Sequence, residues 1–293
     1  MTSQTNTRLS ALGVVRIDGS DAERFLRNQL TNDVFRLGPD RHFLAAWCDA
    51  KGRTQMIVQV VATTECWYLL LPREILASVI KRLKMYVLRD DVRVTDESDA
   101  LAVIGHIDAP TAPDVNTTII EGDSLHIGLA STVDGRRRSI TIVDSTAADT
   151  GLATDTTSWD LATIDAGVPQ IVAATQGAFV PQMLNLHWLM AIDFDKGCYP
   201  GQEVVARLHY RGRLTRRVFR LSCIDAPPAP GSDIVDTEGT RCGTVLQAAR
   251  AGDDTSRLLA VVAVVAVDRA ERVVKLDDDR ELSFLDLAYA TPA

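Results

Sequence analysis

The sequence has no Cys-x-x-Cys pair, no apolar run long enough to cross a bilayer as a helix, no internal repeat and no excess of positive charge. Its five cysteines are Cys48, Cys66, Cys198, Cys223 and Cys242. An odd count without paired spacing excludes a disulfide framework and a dedicated zinc site, so no metal ligand is assigned. One loop cysteine is also too few to hold an iron–sulfur cluster alone, since clusters usually take four thiolates. The longest strongly apolar run is Leu258–Val267, "LLAVVAVVAV". These ten residues fall short of the roughly 20 that a helix needs to span about 30 Å of hydrocarbon. Their β-branched content predicts a strand buried on both faces. "MTSQTNTRLS" is polar, lacks an apolar h-region and does not read as a secretory signal. A cytoplasmic protein with no membrane partner is expected. The net charge of −8 argues against sequence-independent nucleic-acid binding by the whole surface. No direct, sequence-specific nucleic-acid partner is expected either.

What is present is a chain of 293 residues, 46% apolar and 24% charged, enough for one large domain or two ordinary ones. Ser20 and Glu23 form a candidate capping box before a helix whose apolar face is Ala22, Phe25, Leu26 and Leu30. "HFLAAWCDAKGRTQMIVQVVA" predicts two strands around a tight turn at Asp49–Gly52. Pro72 suits the first turn of a helix with Ile75, Leu76, Val79, Ile80 and Leu83 on one face. Ser158 is read as the cap of a short helix, "SWDLATIDAG", stopped at Gly167-Val168-Pro169. Residues 1–217 mix strands and helices without regular alternation, which is an α+β pattern. Residues 218–293 carry short strands between Pro/Gly or charged turns, the pattern of a small β-barrel or sandwich. No Gly, Ser or Pro interrupts Arg213–Arg220, so this unit is expected to pack against the larger region.

Positive charge is concentrated in one place. Between Lys196 and Arg217 stand six basic residues and one acid, beside the lone cysteine of "KGCYPGQE". Gly197 and Gly201 permit backbone conformations closed to other residues. A nearby ammonium such as Lys196 favours thiolate at Cys198. The alternative is a tight turn in which Cys198 packs as a small hydrophobe. A purely structural turn would need only the glycines, not Lys, Cys, Gln202 and Glu203 between and after them.

"KGCYPGQEVVAR" followed by "YRG" resembles the signature of the YgfZ family of folate-binding proteins, relatives of the glycine-cleavage T-protein, an aminomethyltransferase. "GSDAERFLRNQLTNDV", "AAWCDAKGR", "IDAGVPQI" and "FVPQMLNL" stand in the family's order, so the resemblance covers most of 10–217. It implies two α+β halves and a C-terminal β-barrel around a central cleft that holds tetrahydrofolate or a one-carbon derivative. It implies iron–sulfur enzymes, including tRNA-modifying ones, as clients, with Cys198 as the reactive thiol and Lys196 beside it. Asp165 stands where relatives carry Glu, a carboxylate able to accept the pterin's paired donors. Trp159 matches an aromatic placed against folate, and a second family tryptophan corresponds to Leu12, which removes one stacking wall. Arg207, Tyr210, Arg211 and Arg213 are candidates for the anionic tail, with a solvated basic face as the alternative. His187 is a loop histidine or a site neighbour.

The departures bear on activity. T-proteins carry paired aspartates where Gln55 and Met56 stand here, and Met190-Ala191 replaces a Gly-Gly. Two readings remain: an accessory folate-binding protein supporting iron–sulfur enzymes, or a folate-dependent one-carbon transferase. A decayed scaffold is the third. Whether a carboxylate or thiol lies within about 4 Å of the folate nitrogens separates the first two, since proton transfer needs hydrogen-bond reach.

Overall fold

A computed structural model describes residues 5–148, 151–267 and 273–291. The chain opens with β1 (Thr5–Arg8), β2 (Leu12–Asp18) and α1 (Ala22–Gln29). A meander of β3 (His42–Cys48), β4 (Thr54–Ala62) and β5 (Trp67–Pro72) leads into α2 (Arg73–Lys84). Then come β6 (Arg93–Asp96), β7 (Leu101–Ile107), β8 (Thr118–Glu121), β9 (Ser124–Leu129) and β10 (Arg138–Asp144). Helices α3 (Thr157–Asp165) and α4 (Gln202–Arg211) flank a long, mostly irregular segment. The last part contains β11 (Arg216–Ile224), β12 (Asp233–Val235), β13 (Arg241–Arg250) and β14 (Thr255–Ala263). The one-turn α5 (Val264–Val267), β15 (Val274–Leu276) and β16 (Glu281–Leu285) complete it.

Two five-stranded antiparallel sheets, β3-β4-β5-β2-β6 and β1-β7-β10-β9-β8, form the α+β region, and β11-β14-β13-β12-β15-β16 closes into a barrel. The sheets meet through Val14, Val61 and Leu70 on one side and Val103, Ile127, Ile140 and Ile142 on the other. A second core runs from α1 and α2 through Trp47, Leu184 and Leu186 to the barrel residues Val218, Leu246, Leu259 and Val261. The barrel interior holds its own cluster around Leu221, Val245, Leu258 and Leu276.

The helix faces lie as the apolar spacing predicts. Ala22, Phe25 and Leu26 of α1 and Ile75, Leu76, Val79 and Leu83 of α2 are buried, with Ile80 partly so. Three local expectations are corrected. The capping box does not form: the Ser20 amide and hydroxyl both donate to the Asp91 carboxylate at 3.0 Å, 71 residues away, and Asp21 holds the cap position. Ser158 is not the cap of α3, because the helix starts at Thr157, whose amide donates to Asp155 at 2.9 Å. The strand expected over 258–267 ends at Ala263, opposite Arg216, the first residue of β11; the Val264 amide still donates to the Thr215 carbonyl at 2.9 Å, and the chain coils there into α5.

Candidate functional site

At one end of the seam between the sheets lies a cleft of about 190 Å³. Strand alternation builds its walls, because side chains two apart share a face. Ile57 and Gln59 of β4 line it, while Val61 continues the same face into the core. On β10, Arg138 and Ile140 line it and Ile142 lies deeper. Leu12, Leu44, Leu70 and Leu129 complete the apolar walls, α3 contributes Trp159 and Thr163, and the exposed Met190 stands at the rim.

Only two lining residues, His42 and Arg138, carry ionisable groups of ordinary proton-transfer or ion-pairing type, and none of the lining residues is Asp, Glu or Cys. The His42 Nε2–H donates to the Gly128 carbonyl at 2.8 Å, which leaves Nδ1 to accept from the Gln59 amide. Burial holds this imidazole down at about 4, so it is neutral near pH 7. Arg138 is 4% exposed. Its Nη2 donates to Thr163 Oγ1 at 2.6 Å and its Nη1 to the Ala130 carbonyl at 3.3 Å. Its guanidinium carbon lies 4.8 Å from the centre of the Trp159 ring. Its Nε–H has no acceptor among the described residues. Burial, aided by repulsion from Arg136, pulls this guanidinium down to about 10.

Trp159 is held against the second sheet. The indole packs on Gly105 of β7, where a Cβ would fall 2.5 Å from a ring carbon. Trp159 and Leu12 both line the cleft. Asp165 does not. Its side chain is fully buried, with Oδ1 accepting from Arg220 Nε at 3.1 Å and Oδ2 from Arg257 Nη1 at 2.6 Å, and with Arg136 Nη2 at 3.5 Å. It joins α3 to β11 and β14. The carboxylate, expected to accept from a pterin, is here enclosed by three guanidinium groups at the barrel interface.

The cysteine motif builds a different surface. Gly201, at φ +78°, sits directly on the Asp49–Gly52 turn, where a Cβ would come within 2.5 Å of the Asp49 carbonyl and the Gly52 Cα. Gly52, at φ +70°, in turn presses on Val204 of α4. This seat leaves Cys198 exposed while the other four cysteines are buried. Burial raises the thiols of Cys223 and Cys242 and pushes that of Cys48 up to about 12. Lys196, expected beside the thiol, is 6% exposed. Its ammonium is committed to the carbonyls of Arg27 and Leu30 at the end of α1 and lies 4.9 Å from the Tyr199 ring centre. Burial lowers it to about 8, with Asp33 and Asp193 opposing. Lys196 thus anchors the cysteine loop to the carbonyl end of a helix, a site where positive charge is favoured. Arg207, Tyr210, Arg211 and Arg213 are exposed on or just after α4. None of them, nor Lys196 or Cys198, lines the cleft. Tyr210 is 65% exposed and edges against Phe194, which stacks on His209 at 3.7 Å. His187 packs on Trp188, also outside the cleft, and burial lowers it to about 4.

Arg138 and Gln59 escaped the sequence reading. Each is a polar residue on the apolar face of an alternating strand, and that misfit was the available signal. Among the described residues no group of three His, Cys, Asp or Glu is placed for a metal ion, and no helix is long and apolar enough to cross a membrane.

No family model matches the chain. A protein of Yersinia pseudotuberculosis named tRNA-modifying protein YgfZ is 31% identical over 291 residues, covering 91% of this chain and 86% of its own. The protein of that name from Colwellia psychrerythraea is 29% identical over 277 residues, covering 87% and 84%. An uncharacterized protein of Haemophilus influenzae is 34% identical over 214 residues, covering 72% and 71%. Among solved structures, glycine cleavage system aminomethyltransferase T from Bartonella henselae superposes with a TM-score of 0.77 at 15% identity, covering 98% of this chain and 86% of that one. That likeness is one of fold: mixed sheets and helices with a C-terminal barrel.

Proposed function

Because the chain belongs to the YgfZ family, we propose that it is an accessory protein of tRNA modification that binds a reduced folate in the cleft and supports iron–sulfur enzymes through Cys198. The cleft suits such a ligand. Leu12, Ile57, Leu70 and Ile140 offer apolar walls for a flat ring, and Gln59, Thr163 and Arg138 offer a few polar groups to orient it. A bound reduced folate supplies a one-carbon carrier. The chain's part is to enclose and orient it.

One observation favours binding over group transfer: the walls of the cleft contain no carboxylate and no thiol. Met56 is fully buried in the core. Gln55 is engaged by Arg82 Nη1 at 2.6 Å and by Asp49 at 3.2 Å. Neither residue brings a proton acceptor to the cleft, and His42 already uses both ring nitrogens. The fold it shares with an aminomethyltransferase supplies the scaffold without that group.

The test is a titration with tetrahydrofolate, with and without one-carbon substituents, followed by tryptophan fluorescence, beside a single-turnover assay for one-carbon transfer. Saturable binding without transfer supports the accessory reading. Transfer at an enzymatic rate overturns it, and absence of binding overturns the folate assignment. In cells, Cys198→Ser should fold normally yet fail to restore thiolated tRNA; full restoration removes the thiol from the function.

A further inference from the structure

Arg138 is a buried cation with no carboxylate within ion-pair distance among the described residues, and it borders the ligand cleft. The nearby Asp165 is already taken by Arg136, Arg220 and Arg257. Burying a charge without a full set of partners is costly, and a buried N–H without an acceptor adds to that cost. Thr163, the Ala130 carbonyl and the Trp159 ring hold the guanidinium in one orientation and leave Nε over. A group fixed in this way is organised for an acceptor that arrives from the cleft.

The geometry points to Arg138 as the recognition residue of the cleft, donating to a carbonyl acceptor on the ligand, which for a folate is the 4-oxo edge of the pterin. This rests on the folate reading above and adds polarity to it. A folate has acceptors at both ends, the pterin carbonyl and the glutamate carboxylates. The tail carries two negative charges and is strongly hydrated, so it does not suit an apolar pole with one cation. The flat, neutral pterin head does. In this chain the Asp165 carboxylate is bound at the barrel interface, while the Arg138 guanidinium borders the cleft.

Aminopterin provides the probe, since it differs from folic acid in bearing an amino donor in place of the 4-oxo acceptor. Affinities of folic acid, aminopterin and their tetrahydro forms are compared on the full chain by calorimetry. The unmodified protein should prefer each 4-oxo ligand by roughly 10- to 100-fold over its 4-amino analogue, the range of one hydrogen bond to a charged group. Arg138→Met should erase that preference, and Arg138→Lys should retain only part of it. The melting temperature of the free protein is the second readout. Removing an incompletely partnered buried charge should leave it equal or higher in Arg138→Met, while the rise induced by a 4-oxo ligand falls to that of its 4-amino analogue. Equal affinities for 4-oxo and 4-amino ligands in the unmodified protein, or a preference that survives Arg138→Met, overturn the assignment of Arg138 alone. If no pteridine binds the unmodified protein, both this inference and the folate reading fall. If Arg138→Met does not fold, the arginine is structural, and a full preference retained in Arg138→Lys overturns its recognition role.

Discussion

At the scale of single residues, environment decides role more than identity does. Asp165 is the clearest case: a carboxylate expected in the binding site acts as an ionic joint because Arg220 and Arg257 reach it first. Asp165→Ala leaves two or three guanidinium groups facing an apolar gap. It should cost about 3–5 kcal/mol in urea unfolding, the range for breaking a buried ion pair from one side. A loss below about 1 kcal/mol would show that solvent already screens the cluster. His42 makes stability depend on acid. Its folded imidazole titrates near 4, whereas an unfolded one titrates near 6.5. Between those values the unfolded chain binds more protons, so stability falls as pH drops through 6.5 and levels off below about 4. His42→Gln should remove on the order of 2–3 kcal/mol from that fall. Parallel stability profiles from pH 7 to 4 would contradict it. For the cysteines, brief iodoacetamide treatment at neutral pH should label Cys198 before the four buried thiols. Because Cys198 does not line the cleft, a saturating cleft ligand should leave its rate unchanged; protection by that ligand would place the thiol nearer the site than the fold does.

At the scale of elements, β7 and α3 are matched through one missing side chain. Gly105 adopts no unusual backbone angle, yet any Cβ there strikes the Trp159 ring. Gly105→Ala should push the indole toward the cleft and weaken ligand binding by about tenfold, a value typical for a small misfit in an apolar pocket. Unaltered affinity and an unaltered tryptophan spectrum would show that the strand yields instead. The glycine also illustrates what a sequence can convey. The α1 and α2 faces, the β3–β4 turn and the barrel strands follow from spacing and turn residues, because those signals are local. Leu12 and Trp159 were brought to the cleft by family resemblance. Ser20 and the end of β14 went differently because their outcome depends on distant partners, Asp91 and the first residue of β11, and Ser158 because its neighbour Thr157 takes the local bond to Asp155. The basic run from Lys196 to Arg217 reads as one patch, yet folding divides it among a helix cap, an exposed helix and a barrel strand. Charge density along a chain does not specify direction in space.

At the scale of the molecule, barrel and sheets share side chains and polar contacts. Val218, Leu246, Leu259 and Val261 belong to the core beneath the first sheet. Asn185 donates to the Val218 carbonyl and the Tyr289 hydroxyl at 3.1 Å each, and Gln247 exchanges bonds with Gln170 and Val168. Unfolding should therefore be a single event. All four tryptophans, Trp47, Trp67, Trp159 and Trp188, precede the barrel. Trp47 and Trp67 stand on β3 and β5, so their fluorescence reports the first sheet, and hydrogen exchange in β11, β13 and β14 reports the barrel. The two midpoints in urea should coincide; separate midpoints would make the barrel an independent unit.

The contact between Gly52 and Gly201 also has a meaning in time. The two positions are 201 − 52 = 149 residues apart. At synthesis rates of about 5–20 residues per second, the early turn emerges roughly 7–30 s before the loop that rests on it. During that interval the hairpin of β3 and β4 carries an unfilled seat, and no thiol yet stands there. A chain stalled before residue 201 never fills it, and a chain misfolded in its first sheet has nowhere to set the loop down. A partner that recognises Cys198 in its seated form thereby selects molecules in which the early turn and the later loop have met.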